Sequence, residues 1–335
     1  MNMEDMKDAL DSFLRKWQSE SPTLSVRTSG STGVPKVIEV EKDRMRASAQ
    51  MTCDYLGLKE GDTALLCMPL QYIAGMMMVV RAEERGMKLV CVEPSNRPLR
   101  TLCKKSKDVM DTPITFAAMV PSQVYETLKH KEEKEMLKRI PVLIIGGGAI
   151  DADLERTLTT FPNQIYSTYG MTETLSHIAL RRMGTPFYSP LPGVSLAQTP
   201  EGCLIIDAPS VCPTTLVTHD IVEFAEESKT PHFRIIGRSD NTICSGGIKI
   251  QIEEMEATLR PVFGNTIQVT SVPDLKFGEA VVLLTTLPLD EQKLQDTLTN
   301  RYWRPKHVIL IDELPLTGTG KPDRAKAKEI AVQRI

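Results

Sequence analysis

Apolar residues recur at three- and four-residue spacing near the start of the chain, where Met6, Leu10, Phe13, Leu14 and Trp17 fall on one side of a helix. Ser21-Pro22 ends that helix, and Leu24 to Arg27 reads as a short strand running into a polar, glycine-rich stretch at 28–36. Residues 42–56 return to the helical period, with Met45, Ala49, Thr52 and Tyr55 on one face. Beyond them come short continuous apolar runs: ALLCM at 64–68, KLVCV at 88–92, ITFAAM at 114–119 and VLIIG at 142–146. Such runs, without polar alternation, suit strands covered on both faces. A Met- and Val-rich helix at 73–85 and a charged helix over 123–138 lie between them. The alternation predicts an α/β fold: a layered domain with a largely parallel sheet.

The texture changes near 190, where Pro190, Pro192 and Gly193 interrupt the pattern. GCLIID and TTLVTHDIVEF predict antiparallel strands, and FRIIGRSD a strand that runs out into a linker. Past it the order is a hairpin (TICSGGIKI), a helix at 253–260, strands near 266–272 and 280–285, a helix at 290–300, a strand at 307–312 and a closing helix. That suffices for a small α+β domain, giving domains of 1–239 and 240–335.

Composition narrows the partners. With 40 Lys+Arg against 43 Asp+Glu and a net charge of -3, the 335 residues give no warrant for nucleic acid. No apolar run reaches the roughly 18 residues of a membrane span, and the opening segment is acidic and amphipathic rather than a signal peptide, so a cytoplasmic location is expected. The seven cysteines are scattered with no CxxC pair, which points to buried reduced thiols. The five histidines lack metal-ligand spacing, so no structural metal is expected. The cluster Met76, Met77 and Met78 reads as core filling.

Candidate chemistry begins at Thr28-Ser29-Gly30-Ser31-Thr32-Gly33-Val34-Pro35-Lys36. Two glycines allow backbone N–H groups to converge, and hydroxyls and a lysine add donors for an anion. Composition alone leaves a triphosphate cradle and a Gly/Ser-biased surface loop both open. A Walker-type loop is disfavoured because the lysine follows proline.

The stretch resembles the TSGSTGxPK phosphate loop of the acyl-adenylate-forming superfamily, which includes acyl- and aryl-CoA synthetases and peptide-synthetase adenylation domains. Further segments follow in that family's order. Tyr169-Gly170-Met171-Thr172-Glu173 is similar to its YGxTE motif, and Gly146-Gly147-Gly148-Ala149 stands where the adenine loop is found. Asp220 matches the ribose aspartate, Arg238-Ser239-Asp240 the arginine–hinge segment, and Gly246-Gly247-Ile248-Lys249 the thiol-side loop. Pro315 to Lys321 matches the mobile loop with the catalytic lysine, so the resemblance spans about 24–325.

The resemblance implies an AMP-forming acid–thiol ligase that uses ATP, Mg²⁺ and CoA on a small-molecule carboxylic acid. It further implies an adenylate-forming enzyme fold, with a large layered α/β domain and a small mobile C-terminal α+β domain turning about Asp240. By it, Thr28, Ser29, Gly30, Ser31, Thr32, Gly33 and Lys36 bind triphosphate, and Gly147, Gly148, Ala149, Tyr169, Gly170, Asp220 and Arg238 complete the ATP site. Thr172 meets the α-phosphate, Glu173 holds magnesium, Lys321 serves adenylation, and Gly246, Gly247 and Lys249 face CoA. The short length, the Gln71-Tyr72 segment and the Met-rich stretch are most similar to the o-succinylbenzoate–CoA ligases of menaquinone synthesis, with Tyr72, Arg97, Ser176 and His177 as acid-binding candidates.

The sequence departs from the family in three ways. The phosphate loop starts where most relatives carry a large N-terminal subdomain, so the large domain is expected to be truncated, with either the opening helix or a second subunit in a homodimer covering the exposed sheet. Tyr72 stands where histidine is common, and His219 where glycine precedes the ribose aspartate. Other acids, a carrier-protein loader and a non-catalytic nucleotide sensor stay open as alternatives.

Overall fold

A computed structural model describes residues 3–27, 37–104, 113–226, 231–317 and 321–335. The chain divides into two compact units. The first comprises Met1–Leu196, Ile206–Leu216 and Ala225–Phe233, and the second Ala197–Ile205, Val217–Phe224 and Arg234–Ile335.

The first unit opens with α1 (Met3–Gln18), whose Met6, Phe13 and Trp17 are buried on the predicted face. An antiparallel ribbon follows, β1 (Thr23–Arg27) with β2 (Val37–Glu41). α2 (Lys42–Leu56) buries Met45, Ala49 and Thr52 as predicted, together with Cys53 and Leu56, while Tyr55 is half exposed.

The main sheet is built from β3 (Thr63–Leu66), β4 (Lys88–Cys91), β5 (Phe116–Met119), β6 (Val142–Ile145), β7 (Gln164–Gly170), β8 (His177–Arg182) and β9 (Ser189–Pro190), in the order β4-β3-β5-β6-β7-β8-β9. Pairs from β4 to β7 are parallel and the last two antiparallel. Every residue of β3, β5 and β6 is buried, the physical counterpart of their uninterrupted apolar runs.

Covering helices of this unit are α3 (Ile73–Arg85), α4 (Leu99–Lys104), α5 (Pro121–Leu128), α6 (Lys131–Leu137) and α7 (Ala152–Thr159). The single charged helix expected over 123–138 is two, α5 and α6, separated by an extended His130. The reason is phase: Val124 and Thr127 are buried in the first piece and Glu133 and Leu137 in the second, positions no one straight helix turns toward the same side.

A four-stranded sheet follows, in the order β10 (Ser195–Gln198), β11 (Cys203–Asp207), β12 (Leu216–Phe224) and β13 (Phe233–Arg238). The remaining sheet holds β14 (Thr242–Ser245), β15 (Ile248–Gln251), β16 (Ile267–Asp274), β17 (Gly278–Thr285) and β18 (His307–Leu310), with α8 (Ile252–Phe263), α9 (Glu291–Thr297) and α10 (Arg324–Arg334). This is the predicted small α+β region. One apolar cluster joins α8 to the sheet through Met255, Leu259, Val269 and Leu283, and another joins α10 through Ala327, Ala331, Val282 and Leu284.

Upstream stretches enter the second unit because they pair within it. Gln198 Nε2 donates to the carbonyl of Gly202 (3.1 Å), and Arg234 pairs with Glu223 at 2.8 Å. Compactness and the expected hinge at Asp240 are different properties, the first set by pairing and the second by motion.

Candidate active site

In open parallel sheets, ligands meet the chain beyond the carboxyl ends of the strands, where loops replace the ladder. In the first unit the candidate residues follow such ends. Tyr72 comes after β3, Arg97 after β4, Gly147, Gly148 and Ala149 after β6, and Gly170, Thr172 and Glu173 at or after β7. Residues 28–36, assigned to the triphosphate, lie outside the described residues. The strands that flank them are paired, Arg27 opposite Val37.

Glycine is required at Gly170 by close approach. A Cβ there would stand 2.2 Å from the Ser176 carbonyl oxygen and 2.5 Å from His177 Cα, backbone atoms that cannot swing aside. The β7–β8 connection between them is a tight 3₁₀ turn, Thr172–Thr174. The fully buried Thr174 hydroxyl lies 3.0 Å from the Met171 carbonyl oxygen and 2.7 Å from that of Ser176, and accepts from the Met171 N–H at 3.1 Å. Leu175 then adopts a positive φ of 64°, a costly conformation for a branched side chain. The turn thereby presents Thr172 and an exposed Glu173.

Glu173 has no ion-pair or hydrogen-bond partner among the described residues, and these contain no cluster of three His, Cys, Asp or Glu suited to a metal. A single free carboxylate fits magnesium, which binds through one or two carboxylates plus substrate phosphates and water rather than in an all-protein cage. Tyr169 of the same motif is buried edge-on against Phe233, with ring centroids 5.1 Å apart.

Behind the turn lies a buried polar cluster. Arg81 of α3 is 2% exposed and donates to Ser176 Oγ at 2.7 Å. It has no carboxylate partner among the described residues, and its Nε–H is unsatisfied. Burial pushes the guanidinium down to about 10, so it remains charged at neutral pH. His177, also buried, lies 3.3 Å from Ser176 Oγ through Nδ1 and 3.0 Å from Thr52 Oγ1 through Nε2. Burial and then the Arg81 charge hold its pKa well below the usual value, so the imidazole is neutral.

The other acid-binding candidates sit apart from this cluster. Arg97 is committed to the buried Glu133. Tyr72 precedes α3 and is 40% exposed. A recess of about 520 Å³ opens beside it, bordered by α1, the β1–β2 ribbon, Gln71 and Met76.

The second unit carries the remaining candidates. Arg238 binds Asp220 at 3.1 Å and grips Asp240 with two hydrogen bonds of 2.9 and 2.7 Å. The Asp240 contact raises the Arg238 pKa, and the guanidinium holds the Asp240 carboxyl below its usual range. The ribose and hinge candidates thus share one guanidinium. Gly246 and Gly247, with φ of 57° and 80°, form the two-residue turn of the β14–β15 hairpin, and Lys249 is exposed on its returning strand opposite Cys244.

Lys321 is exposed, and its amine has no partner among the described residues. Its backbone is held, its carbonyl accepting from the Thr317 N–H at 2.7 Å and its N–H donating to Thr317 Oγ1 at 3.2 Å. The helix that follows is locked by Arg324, which pairs with Glu256.

Arg81 and Thr52 adjoin the candidate site and were not revealed by the motifs. One signal for Arg81 was available: it lies one helical turn from Met77 and Met78, on the inward face of an apolar helix.

Comparison with known proteins agrees with the motifs. The profile of the AMP-binding enzyme family matches residues 5–204. A 2-succinylbenzoate–CoA ligase of Listeria monocytogenes is 25% identical over 346 residues, covering 95% of this chain and 72% of that protein. A crystal structure of an AMP-forming acyl-CoA synthetase/AMP-acid ligase II-like protein from Dyadobacter fermentans is 30% identical, with a TM-score of 0.64, covering 98% of this chain and 95% of that one. The o-succinylbenzoate coenzyme A synthetase of Bacillus subtilis, solved with ATP and magnesium ion, shares the fold at 21% identity, with a TM-score of 0.74 over 90% of this chain and 69% of that one. The chain belongs to the AMP-binding enzyme family, the adenylate-forming acid–thiol ligases.

Proposed function

We propose that this chain activates o-succinylbenzoate as an acyl-adenylate and transfers the acyl group to the thiol of CoA. The observation that carries the choice of acid is Arg81, a buried guanidinium with no carboxylate partner among the described residues, beside the turn that presents Thr172 and Glu173. A buried cation without a counter-charge is costly, and an acid bearing a second carboxylate supplies one. o-Succinylbenzoate has two: one reacts and the other pairs with Arg81. Resemblance to the Listeria ligase supports the same acid.

In the first half-reaction a carboxylate oxygen attacks the α-phosphorus of ATP, and pyrophosphate leaves. The chain's part is to position the reactants and meet the developing charge. Thr172 donates to the α-phosphate, Asp220 accepts from the ribose hydroxyls, and the Lys321 ammonium bridges the acid and the phosphate. Magnesium, when bound with ATP, neutralises phosphate charge, and Glu173 would hold it. In the second half-reaction the CoA sulfur attacks the acyl carbon, AMP leaves, and the thiol proton is released. Turning about Asp240 exchanges Lys321 for the Gly246-Gly247 turn and Lys249. This reading keeps the enzyme in the cytoplasm with its ATP and CoA, as a homodimer that sedimentation would report.

The test is incubation with ATP, Mg²⁺, CoA and o-succinylbenzoate, with detection of AMP and the acyl-CoA. Benzoate and 4-phenyl-4-oxobutanoate, each with one carboxylate, should be poorer in kcat/KM by about 30-fold or more, the loss expected when one partner of a buried charge pair is removed. Equal use of the mono-acids would overturn the choice of acid. Lys321→Ala should abolish adenylate formation yet leave CoA transfer from supplied acyl-AMP largely intact, and equal loss of both would remove the division of labour.

A further inference from the structure

The cluster behind the motif turn has a hydrogen-bond direction set by its heavy-atom positions together with the neutral state of the buried His177. Thr52 Oγ1 lies 3.0 Å from the Ser48 carbonyl oxygen, which can only accept, so the single hydroxyl proton of Thr52 is spent there. Toward His177 Nε2, also 3.0 Å away, Thr52 must then accept, and Nε2 carries the proton of the neutral ring. That leaves Nδ1 bare. Ser176 Oγ, 3.3 Å from Nδ1, donates to it, and its lone pairs accept from the Arg81 guanidinium at 2.7 Å. For a neutral imidazole no other assignment makes all four contacts hydrogen bonds. The direction runs from Arg81 through Ser176, His177 and Thr52 to the backbone of α2.

We propose that Thr52 and His177 are positioning residues for acid recognition: by fixing the imidazole as its Nε2–H tautomer they keep Ser176 facing Arg81 as an acceptor, and so hold the guanidinium in the one orientation that receives the acid's second carboxylate. Both ring nitrogens of His177 are taken by protein hydroxyls, so its effect on the acid passes through Ser176. Burial and the neighbouring guanidinium, which together disfavour imidazolium, keep the ring in the state the chain of donors requires. Without the Thr52 acceptor the ring loses its reason to hold the proton on Nε2. A proton on Nδ1 would make the ring a second donor to the Ser176 oxygen, occupying one of its two lone pairs and leaving the serine proton without its acceptor. Arg81, with its Nε–H already unsatisfied and no carboxylate among the described residues to fix it, would then be left a single serine lone pair, and its angle would follow that one.

This inference rests on Arg81 meeting the acid. The variants are Thr52→Val, which keeps shape and removes the hydroxyl, and Thr52→Ser, which restores it. Thr52→Val should raise the KM for o-succinylbenzoate about tenfold, the scale of one hydrogen bond, with the KM for ATP within about twofold of wild type. Thr52→Ser should return the acid KM to near wild type. Nitrogen-15 NMR of labelled histidine should show His177 as the Nε2–H tautomer in the wild type and as Nδ1–H in Thr52→Val. An unchanged acid KM in Thr52→Val, a parallel rise in both KM values, or an Nδ1–H or doubly protonated ring in the wild type would each overturn it. Arg81→Gln separates this from the assignment of the acid: if that variant leaves the acid KM unchanged, Arg81 is not the anchor, whereas the tautomer in the wild type is read independently of any substrate.

Discussion

Among the buried charged side chains, Arg81 in the first unit and Glu256 in the second are treated in opposite ways. Glu256 on α8, 1% exposed, accepts from both ends of the Arg324 guanidinium, from Arg260 at 2.8 Å and from the Val269 N–H at 2.9 Å. Arg81 on α3 has one serine hydroxyl and an idle Nε–H. Desolvation is costly for both, and among the described residues only Glu256 finds its compensation. A fully partnered buried charge reads as architecture: here it ties α10 to α8 and β16. An incompletely partnered one reads as a site awaiting a ligand.

Breaking the compensated charge should have the largest effect. Glu256→Gln leaves two guanidinium groups facing a neutral amide and should cost about 3–5 kcal/mol, seen as a lower urea midpoint with hydrogen exchange rising first in α8, α10 and β16. The uncompensated charge should behave in reverse. Arg81→Met, similar in length and apolar, should leave stability unchanged or raise it by about 1–2 kcal/mol while the KM for the diacid rises. A large loss of stability in Arg81→Met would make Arg81 architectural too and erase the contrast.

The smallest effect concerns pH. The His177 pKa is lowered in the folded state, so below its ordinary value of 6.5 the unfolded chain binds a proton that the folded chain does not. Stability is therefore lost as pH falls below about 6.5, by at most about 1.4 kcal/mol per pH unit. In His177→Gln that contribution vanishes, so urea midpoints at pH 7.5 and 5.5 should differ less in the variant than in the wild type.

Much of the fold was legible because burial on both faces leaves its mark on sequence. The runs around Leu65, Ala117 and Leu143 have no polar position, and each became a covered parallel strand. The helix break at His130 was not legible, because it depends on which sides of α5 and α6 find cover. Within the candidate site, the motif residues were proposed from their order along the chain, which says nothing of their neighbours. Thr52 looked like one more inward position of α2, and nothing in its type shows that His177 lies 3.0 Å away. Leu175 disfavours a positive φ, so only the hydrogen bonds of Thr174 and the closeness of Gly170 to Ser176 explain its conformation. Long-range contact supplies what local preference cannot.

The distribution of thiols has a practical consequence. Cys53, Cys67, Cys203 and Cys212 are buried, Cys91 and Cys103 half-buried, and Cys244 alone among the seven is exposed. Burial pushes Cys67 up to about 12, far from the reactive thiolate. A maleimide fluorophore should therefore label Cys244 first, on the hairpin whose turn is Gly246-Gly247. The native sequence thus carries its own attachment point for an optical reporter, beside the Gly246-Gly247 turn proposed to face CoA.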